Sequence, residues 1–450
     1  MKRESVEQLR TDVRQLLLHG IEAADGYRVI QQNLSVDNKT LIVSSISGEI
    51  VRCDLKKFRR ILVIGFGKAS GVMACALEHI LRSRVAKGVV IVTYGSKVNL
   101  NKIQIVEAGH PIPDVNSIDG AQRIIRMLAD TTQDDLVICL ISGGGSALCT
   151  LPNQGIKLID IQTITQSLLT SGANIFEVNT IRKHLSQIKG GQLAKLAYPA
   201  STLSLIISDV VGDRIDTIAS GPTAADTTTF SDAYDILQKY NLFENAPVSI
   251  RARMESGLKG SIKGILETDD LAFKNTGNII IANNLTALRA IAKKARQHGY
   301  ETLVLSSMIE GETRHVARIY AALIEELIES PHPMPTPACI AAGGEMTVRV
   351  TGKGQGGRNG DFCLALAPLI RGRKEIVVLS AGTDGIDGST DAAGGIIDGT
   401  TYSRAQRLGL DFVQALADYD SYSILKKTGD LLITGPTGTN VMDIQLTLMT

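Results

Sequence analysis

The sequence predicts an α/β fold made of two α/β domains. Short apolar runs alternate with stretches of helical periodicity, and several of the runs end in glycine-rich turns. The run at 136–141 is apolar at every position, which is typical of a strand buried on both faces of a parallel sheet. A chain of 450 residues also exceeds one typical core, so more than one domain is expected.

The first half of the chain predicts a doubly wound, Rossmann-like parallel sheet. Apolar residues recur at helical spacing from Val6 to Ile21, which indicates an initial amphipathic helix. Strands that alternate with helices, and that end in loops at their carboxyl ends, form such a sheet. The strands are predicted at 60–64, 88–92, 103–107, 136–141 and 203–207.

A second and smaller α/β series follows in the C-terminal part. Its strands are predicted at 278–282, 301–306, 338–342, 346–351 and 376–380. The pattern loosens between the two series, which places the domain boundary between 245 and 278. We therefore expect an N-terminal Rossmann-like domain at 1–260 on the nucleotide side, and a C-terminal domain at 275–450. A cleft between the domains is the expected place for the site.

Composition excludes several classes of function. The 47 Lys and Arg against 46 Asp and Glu give a net charge of +1, so no overall field attracts nucleic acid or a membrane surface. The six cysteines form no CxxC pair, and most lie in apolar runs, as reduced core residues do. We expect a cytoplasmic protein whose partners are small molecules, without a signal peptide or a membrane span. A homodimer is left open.

The loop after the central strand is the first candidate site. The strand ends in Ser142, Gly143, Gly144, Gly145 and Ser146, and glycine allows backbone N–H groups to point outward. Such a loop, leading into a helix, favours an anion such as phosphate. A glycine turn that only reverses the chain is the alternative. Several similar loops in the same chain favour the anionic ligand.

Three cationic side chains extend this hypothesis. Lys68 follows the glycine pair at the end of strand 60–64, and a cation at a helix start opposes the helix dipole, so a functional role is favoured. Arg182 and Lys189 belong to a basic segment, where anion binding and a solvated helix face are equally well supported.

Carboxylates at strand-end loops are candidate ligands of Mg²⁺. Asp209 and Asp213 flank one such turn, although a plain Asx turn would also use them. Asp384 lies in a loop with Asp387 and Asp391, and carboxylates this close need a cation or hydrogen-bond donors among them. A metal–phosphate site would supply both. A calcium loop is the weaker alternative, because the D-x-[DN]-x-[DN]-G spacing is absent.

A second glycine-rich loop, 352–357, precedes Arg358 and Asn359 and an apolar helix. The guanidinium suits an oxyanion or a carboxylate at this place. A hairpin turn with a surface arginine is the weaker alternative.

The common nucleotide and hydrolase motifs are incomplete. A P-loop needs glycine where Leu62 stands and Ser or Thr where Ala69 stands. The dinucleotide fingerprint lacks its third glycine, at Ser70, and the nucleophile elbow fails at Leu148.

Taken together, these blocks resemble the glycerate 2-kinase family, the class II glycerate kinases with a MOFRL C-terminal domain. The matching stretches keep the family's order from about 60 to 440. They are 65–69, 109–114, 142–148, 182–186, 208–213, 220–223, 343–345, 357–359 and 382–394.

The resemblance implies ATP-dependent phosphorylation of D-glycerate to 2-phosphoglycerate with Mg²⁺. It implies that Lys68 and Arg358 are the catalytic pair, and that Glu345 and Asn359 belong to the substrate site. The chain departs from the family pattern at Gly360-Asp361, where Gln-Glu is usual, and at Met442, where Asn is common. A nicotinamide-dependent hydroxypyruvate reductase and a non-catalytic sensor of sugar acids are the alternatives.

Overall fold

The computed structural model describes residues 5–262, 264, 269–330, 332–350 and 352–450. The strands in these ranges are β1 Leu34–Asp37, β2 Thr40–Ser44, β3 Ile50–Asp54, β4 Arg60–Phe66, β5 Val85–Thr93, β6 Ile103–Ala108, β7 Asp135–Ile141, β8 Ser201–Ile207, β9 Thr276–Ala282, β10 Glu301–Glu312, β11 Ala338–Thr347, β12 Ile376–Gly382, β13 Gly394–Asp398, β14 Leu431–Leu432 and β15 Asp443–Met449.

The α-helices of the same ranges are α1 Val6–Ala23, α2 Gly26–Asn33, α3 Ser70–Leu81, α4 Val115–Leu128, α5 Gly145–Leu148, α6 Leu158–Thr170, α7 Ile175–His184, α8 Gln192–Ala197, α9 Phe230–Lys239, α10 Val248–Leu258, α11 Leu271–Lys274, α12 Asn284–Gln297, α13 Thr313–Glu329, α14 Arg358–Leu366, α15 Thr401–Arg407, α16 Phe412–Asp418 and α17 Ser421–Thr428.

The N-terminal unit, 26–208 with 213–281, contains the predicted Rossmann-like sheet. Its six strands lie in the order β6-β5-β4-β7-β8-β9, and the register is parallel from β6 to β8. Numbered along the chain this is 3-2-1-4-5-6, the doubly wound order of dinucleotide-binding folds. The direction of winding changes between β4 and β7, and ligands of such sheets bind at that switch point.

Burial explains why these segments form central strands. Every residue of β7 is buried, as is every residue of β4 after Arg60, so both faces of these strands are covered. Helix α3 packs on β4 and β5, and α4 packs on β5 and β6. A separate layer, formed by α6, α7, α9 and α10, has its own apolar core.

The C-terminal unit, which groups 282–450 with 209–212 and with the chain up to residue 25, has a mixed sheet. Its strands lie in the order β10-β11-β15-β12-β13-β14. The prediction of a separate strand at 346–351 is wrong, because 346 and 347 continue β11 and 348–350 lie outside any strand, while 351 lies outside the described residues. Only β10 and β11 pair in parallel, and each other neighbouring pair is antiparallel. Helices α13 and α14 pack together over an apolar core that includes Tyr320 and Phe362.

The limits of the two units differ from the ranges 1–260 and 275–450 expected from chain order for two reasons. The strand predicted at 278–282 as the start of the C-terminal series is β9 of the N-terminal sheet, and α1 groups with the C-terminal unit. Its Arg10 bonds two buried carboxylates of that unit, Asp398 at 2.5 Å and Asp430 at 2.9 Å. The apolar face of α1 packs on α12, β12 and β15. A helix assigned to a domain by position alone therefore takes its partners from the other end of the chain.

Candidate active site

The loops that follow β4 and β7 meet at the switch point of the N-terminal sheet. The Lys68 N–H donates to the Gly143 carbonyl at 2.9 Å, and the Ala69 N–H donates to Ser142 Oγ at 3.0 Å. Gly67 has φ of 129°, and a Cβ there would overlap Ser142 Oγ. Glycine is thus required at 67, and the two loops are held as one piece.

Lys68 and the predicted phosphate loop are brought together, and a histidine joins them. Gly144 has φ of 83°, and a Cβ on it would lie 2.8 Å from His110 Cδ2 and 3.5 Å from Lys68 Cγ. The imidazole and the lysine stem therefore both lie over Gly144. Sequence reasoning treated His110 as a structural residue, and only its place between Gly109 and Pro111 set it apart. A cation and an imidazole beside a glycine loop suit an anionic ligand.

The hydroxyl of Ser146 is engaged within the protein. Its Oγ lies 2.8 Å from Ser220 Oγ, and the Ser220 hydroxyl donates to Asn179 Oδ1 at 2.9 Å. Because the Ser220 proton goes to Asn179, the Ser146 hydroxyl is the donor to Ser220. Ser146 then offers a ligand its backbone N–H and its oxygen lone pairs.

Sequence reasoning did not single out Ser220 or Asn179 as site residues. Ser220 and its neighbour Ala219 both adopt positive φ, 62° and 51°, which non-glycine residues seldom do. Ala219 packs against Gly145, where a Cβ would lie 2.9 Å from the alanine Cβ. The strained turn therefore fits closely against the start of α5. The Ser-Gly-Pro sequence at 220–222 was its only signal.

Lys189 and Arg182, which the sequence placed together, have different surroundings. The buried ammonium of Lys189 donates to the carbonyls of Ser146 at 2.7 Å and Cys149 at 3.0 Å, at the end of α5. Burial lowers the pKa of Lys189 to about 7. Burial also lowers the pKa of Arg182, and no carboxylate among the described residues pairs with it. Lys189 thus bonds the backbone of α5, whereas Arg182 donates to no side chain or carbonyl among the described residues.

In the C-terminal unit, Arg358 begins α14 and is held by two carboxylates. Its Nε lies 2.6 Å from Asp443 Oδ2, its Nη2 donates to Asp443 Oδ1 at 3.1 Å, and its Nη1 donates to Glu345 Oε1 at 2.7 Å. Burial disfavours the charge, but the attraction of Asp443 and Glu345 outweighs it and raises the pKa of Arg358. Each terminal nitrogen keeps a second N–H that no described residue accepts. Arg358 is therefore a cation in a fixed orientation, with N–H donors available beyond those bonded to Asp443 and Glu345.

Asn359 is part of the frame around this arginine. Its amide donates to Asp443 Oδ1 at 3.0 Å and to Asp387 Oδ1 at 3.3 Å, and it accepts from Ser380. The N–H groups of Asn359 and Gly360 donate to the two oxygens of Asp387, at 3.0 and 2.7 Å. Burial raises the pKa of Asp387 to about 6. The amide N–H groups of Asn359 are used within the protein, and one of their acceptors, Asp443, is the carboxylate that also holds Arg358.

The three candidate metal ligands are divided between the two units. Asp209 and Asp384 belong to the C-terminal unit and Asp213 to the N-terminal unit. No group of three or more His, Cys, Asp or Glu side chains in the described ranges is arranged to hold a metal. A Cβ on Gly382 would lie 3.2 Å from Asp384 Oδ1 and 3.7 Å from Asp443 Oδ1. Mg²⁺ is commonly bound through only one or two carboxylates beside phosphate oxygens, so a full cluster of protein ligands is not required.

Asp361, at the departure from the family pattern, gives a pH-dependent prediction. Burial raises its pKa from 3.8 to about 6, so it favours the fold while protonated and loses that effect as pH rises through about 6. Asp361→Asn removes the titration. As the pH rises from 3.8 to about 6, we expect the unfolding free energy of the variant to increase relative to that of the wild type, by up to about 3 kcal/mol. Above about pH 6, this difference should remain constant.

Urea denaturation at a series of pH values measures this difference. The exposed Asp391, replaced in the same way, is the control and should show no such trend. An Asp361→Asn difference that is independent of pH would show that the carboxyl titrates normally.

Comparisons with known proteins cover both units. Residues 12–255 match the family described as a domain of unknown function, DUF4147, and residues 338–443 match the MOFRL family. The glycerate 2-kinase of Pyrococcus horikoshii is 42% identical over 98% of both chains. The D-glycerate 2-kinase of Thermotoga maritima is 40% identical over 87% of this chain and 91% of its own.

A solved structure shows the same architecture. The crystal structure of glycerate kinase from Thermotoga maritima superposes with a TM-score of 0.83 at 36% identity, over 99% of this chain and 100% of that one. In the described ranges of the present chain, no helix has the length and apolar character needed to cross a bilayer.

Proposed function

The chain belongs to the glycerate 2-kinase family, and from this premise we propose that it transfers the γ-phosphoryl group of ATP to the 2-hydroxyl of D-glycerate. The products are 2-phosphoglycerate and ADP. The observation that carries the proposal is the pairing of a lysine with a glycine loop at the switch point, in a chain similar to glycerate 2-kinases along almost its whole length.

Phosphoryl transfer asks the protein mainly to position the reactants and to neutralise charge. We assign the phosphates of ATP to the loop 142–146. Backbone N–H groups of this loop can donate to phosphate oxygens without any movement of side chains. Lys68 lies beside this loop, and we assign its ammonium to the stabilisation of the negative charge that develops on the transferred group. The loop after β4, which carries Lys68, and the loop 142–146 are hydrogen-bonded to each other, so they hold Lys68 and the phosphates in a fixed relative position.

Arg358 is assigned to the glycerate carboxylate or to the transferred phosphoryl group. Asp443 is fully buried and holds one side of the guanidinium, whereas the side chain of Glu345 is 45% exposed. An incoming anion can therefore compete with Glu345 while Asp443 keeps the orientation. Lys68 and Arg358 act on the same reaction in this proposal.

Mg²⁺ completes the proposed site, with Asp384, Asp209 or Asp213 as its protein ligands. The ion would neutralise charge on the phosphates of ATP. A cytoplasmic location also belongs to the proposal, since all six cysteines are unpaired.

Phosphorus NMR of the purified protein with D-glycerate, ATP and Mg²⁺ tests the reaction. We expect a new phosphomonoester signal that matches 2-phosphoglycerate, with one ADP for each product. A signal of 3-phosphoglycerate would change the acceptor atom. Loss of nicotinamide absorbance with hydroxypyruvate would support the reductase, and glycerate binding without ADP release would support the sensor.

A further inference from the structure

A cavity of about 680 Å³ lies in the N-terminal unit, directly beside the glycine loop. Its lining comes from α5 and the turn after it, from α6, from the end of α7, and from the segment 111–113. Ser146 belongs both to this lining and to the proposed phosphate loop. Pro111 follows His110, whose ring lies over Gly144 next to Lys68. The cavity is therefore adjacent to the proposed phosphate loop and shares Ser146 with it.

The chemistry of the lining does not match a small polar acid. It is mainly apolar, with Leu151, Ile161 and Leu185 among its side chains. Two further apolar members are open to solvent, Ile112 at 61% and Leu169 at 51% exposure. A three-carbon acid would bring no apolar surface to cover them. A cavity of this size and character is typical of a site for a larger, partly aromatic ligand.

A charged group in the same cavity indicates an anionic portion of that ligand. Arg182 lines the cavity and has no described carboxylate as a partner. A partly buried guanidinium with free donors favours phosphate or carboxylate oxygens. An apolar volume, a guanidinium without a carboxylate partner in the described part of the chain, and a glycine loop thus occur side by side.

We propose that this cavity binds the adenine and ribose of ATP, with Ile112 and Leu169 covering the base and Arg182 reaching the phosphate chain. The proposal rests on the proposed function, because it takes the phosphates to be at the loop 142–146. It assigns the nucleoside portion to the N-terminal unit alone.

The test compares Ile112→Asp with Val115→Asp. Both side chains are exposed. Ile112 lies just before α4 and Val115 is its first residue, but Val115 does not line the cavity. An aspartate in the first turn of α4 is compatible with the helix dipole. Isothermal titration calorimetry of the full chain measures binding of ATP and, separately, of inorganic tripolyphosphate, which has no nucleoside.

We expect Ile112→Asp to weaken ATP binding at least about tenfold, because the base would lose apolar cover and face a carboxylate. Tripolyphosphate binding should change much less, and Val115→Asp should change neither. Leu169→Asn, with the exposed Ile159→Asn of the same helix as its control, repeats the comparison on α6. Thermal unfolding checks that all four variants are folded.

Two results for the cavity variants would overturn the assignment: equal weakening of the binding of ATP and of tripolyphosphate, or no weakening of ATP binding. Absence of ATP binding by the wild type would also overturn it. ATP binding that depends on Ile112, without any phosphorylation of glycerate, would refute the proposed function and leave the nucleoside site in place.

Discussion

Arg358→Ala is expected to lower the kcat of glycerate phosphorylation at least about 100-fold, the scale of one lost charge-stabilising donor. Asp443 fixes the guanidinium from one side. The guanidinium therefore needs no reorientation when charge develops on the reacting group. Arg358→Lys should recover little, because an ammonium cannot make the two-point contact with Asp443 and still present donors to a ligand.

Steady-state kinetics with varied glycerate and varied ATP give kcat and KM for each variant. Arg407→Ala, which removes an exposed arginine of α15, is the matched control and should leave kcat unchanged. Removal of Arg358 leaves the buried Asp443 unpaired, so urea denaturation must show that the variant is folded under assay conditions. Added guanidinium at millimolar concentration should restore part of the activity. Near-normal turnover of a folded Arg358→Ala variant would remove this residue from the mechanism.

The sequence predicted the N-terminal sheet well because its signals are local. The apolar runs 60–64 and 136–141 became β4, Arg60–Phe66, and β7, Asp135–Ile141. The placement of Lys68 beside the loop that follows β7 was also predictable, because parallel strands of one sheet end at the same edge. Family resemblance and strand pattern agree at this point.

Partners that are distant in the chain left no such signal. Arg10 and Asp398 are 388 positions apart, and nothing in the amphipathic pattern of α1 shows which sheet it covers. Asp443, which fixes Arg358, is the first residue of the last strand, and only the antiparallel register of β15 with β11 and β12 brings it there. Pairings of this kind are decided by tertiary packing.

Arg182 and Lys189 show a finer limit of the same sort. From the sequence alone, both are equal candidates as anion ligands. In the structure, Lys189 is bonded to two backbone carbonyls and Arg182 has no described carboxylate as a partner. Spacing along the chain shows that cations are near one another. It does not show which of them has its donors already satisfied.

Lys68→Met is the second variant with a large expected effect. Methionine keeps an unbranched stem over Gly144 and removes only the ammonium. We expect kcat to fall about 100- to 1,000-fold, because the substitution deletes one positive charge beside the proposed phosphate loop. The fold should be retained, since the contacts that join the two loops at this point are made by the Lys68 and Ala69 backbone and by Ser142.

The control is Lys87→Met, an exposed lysine on β5 of the same sheet, toward the end opposite the loops. The double variant with Arg358→Ala then tests whether both cations serve one step. If they do, its loss of kcat should be well below the product of the two single losses, because residues that act as a unit are not additive. Fully multiplicative losses would assign the two residues to independent steps, and normal turnover of Lys68→Met would exclude the ammonium from catalysis.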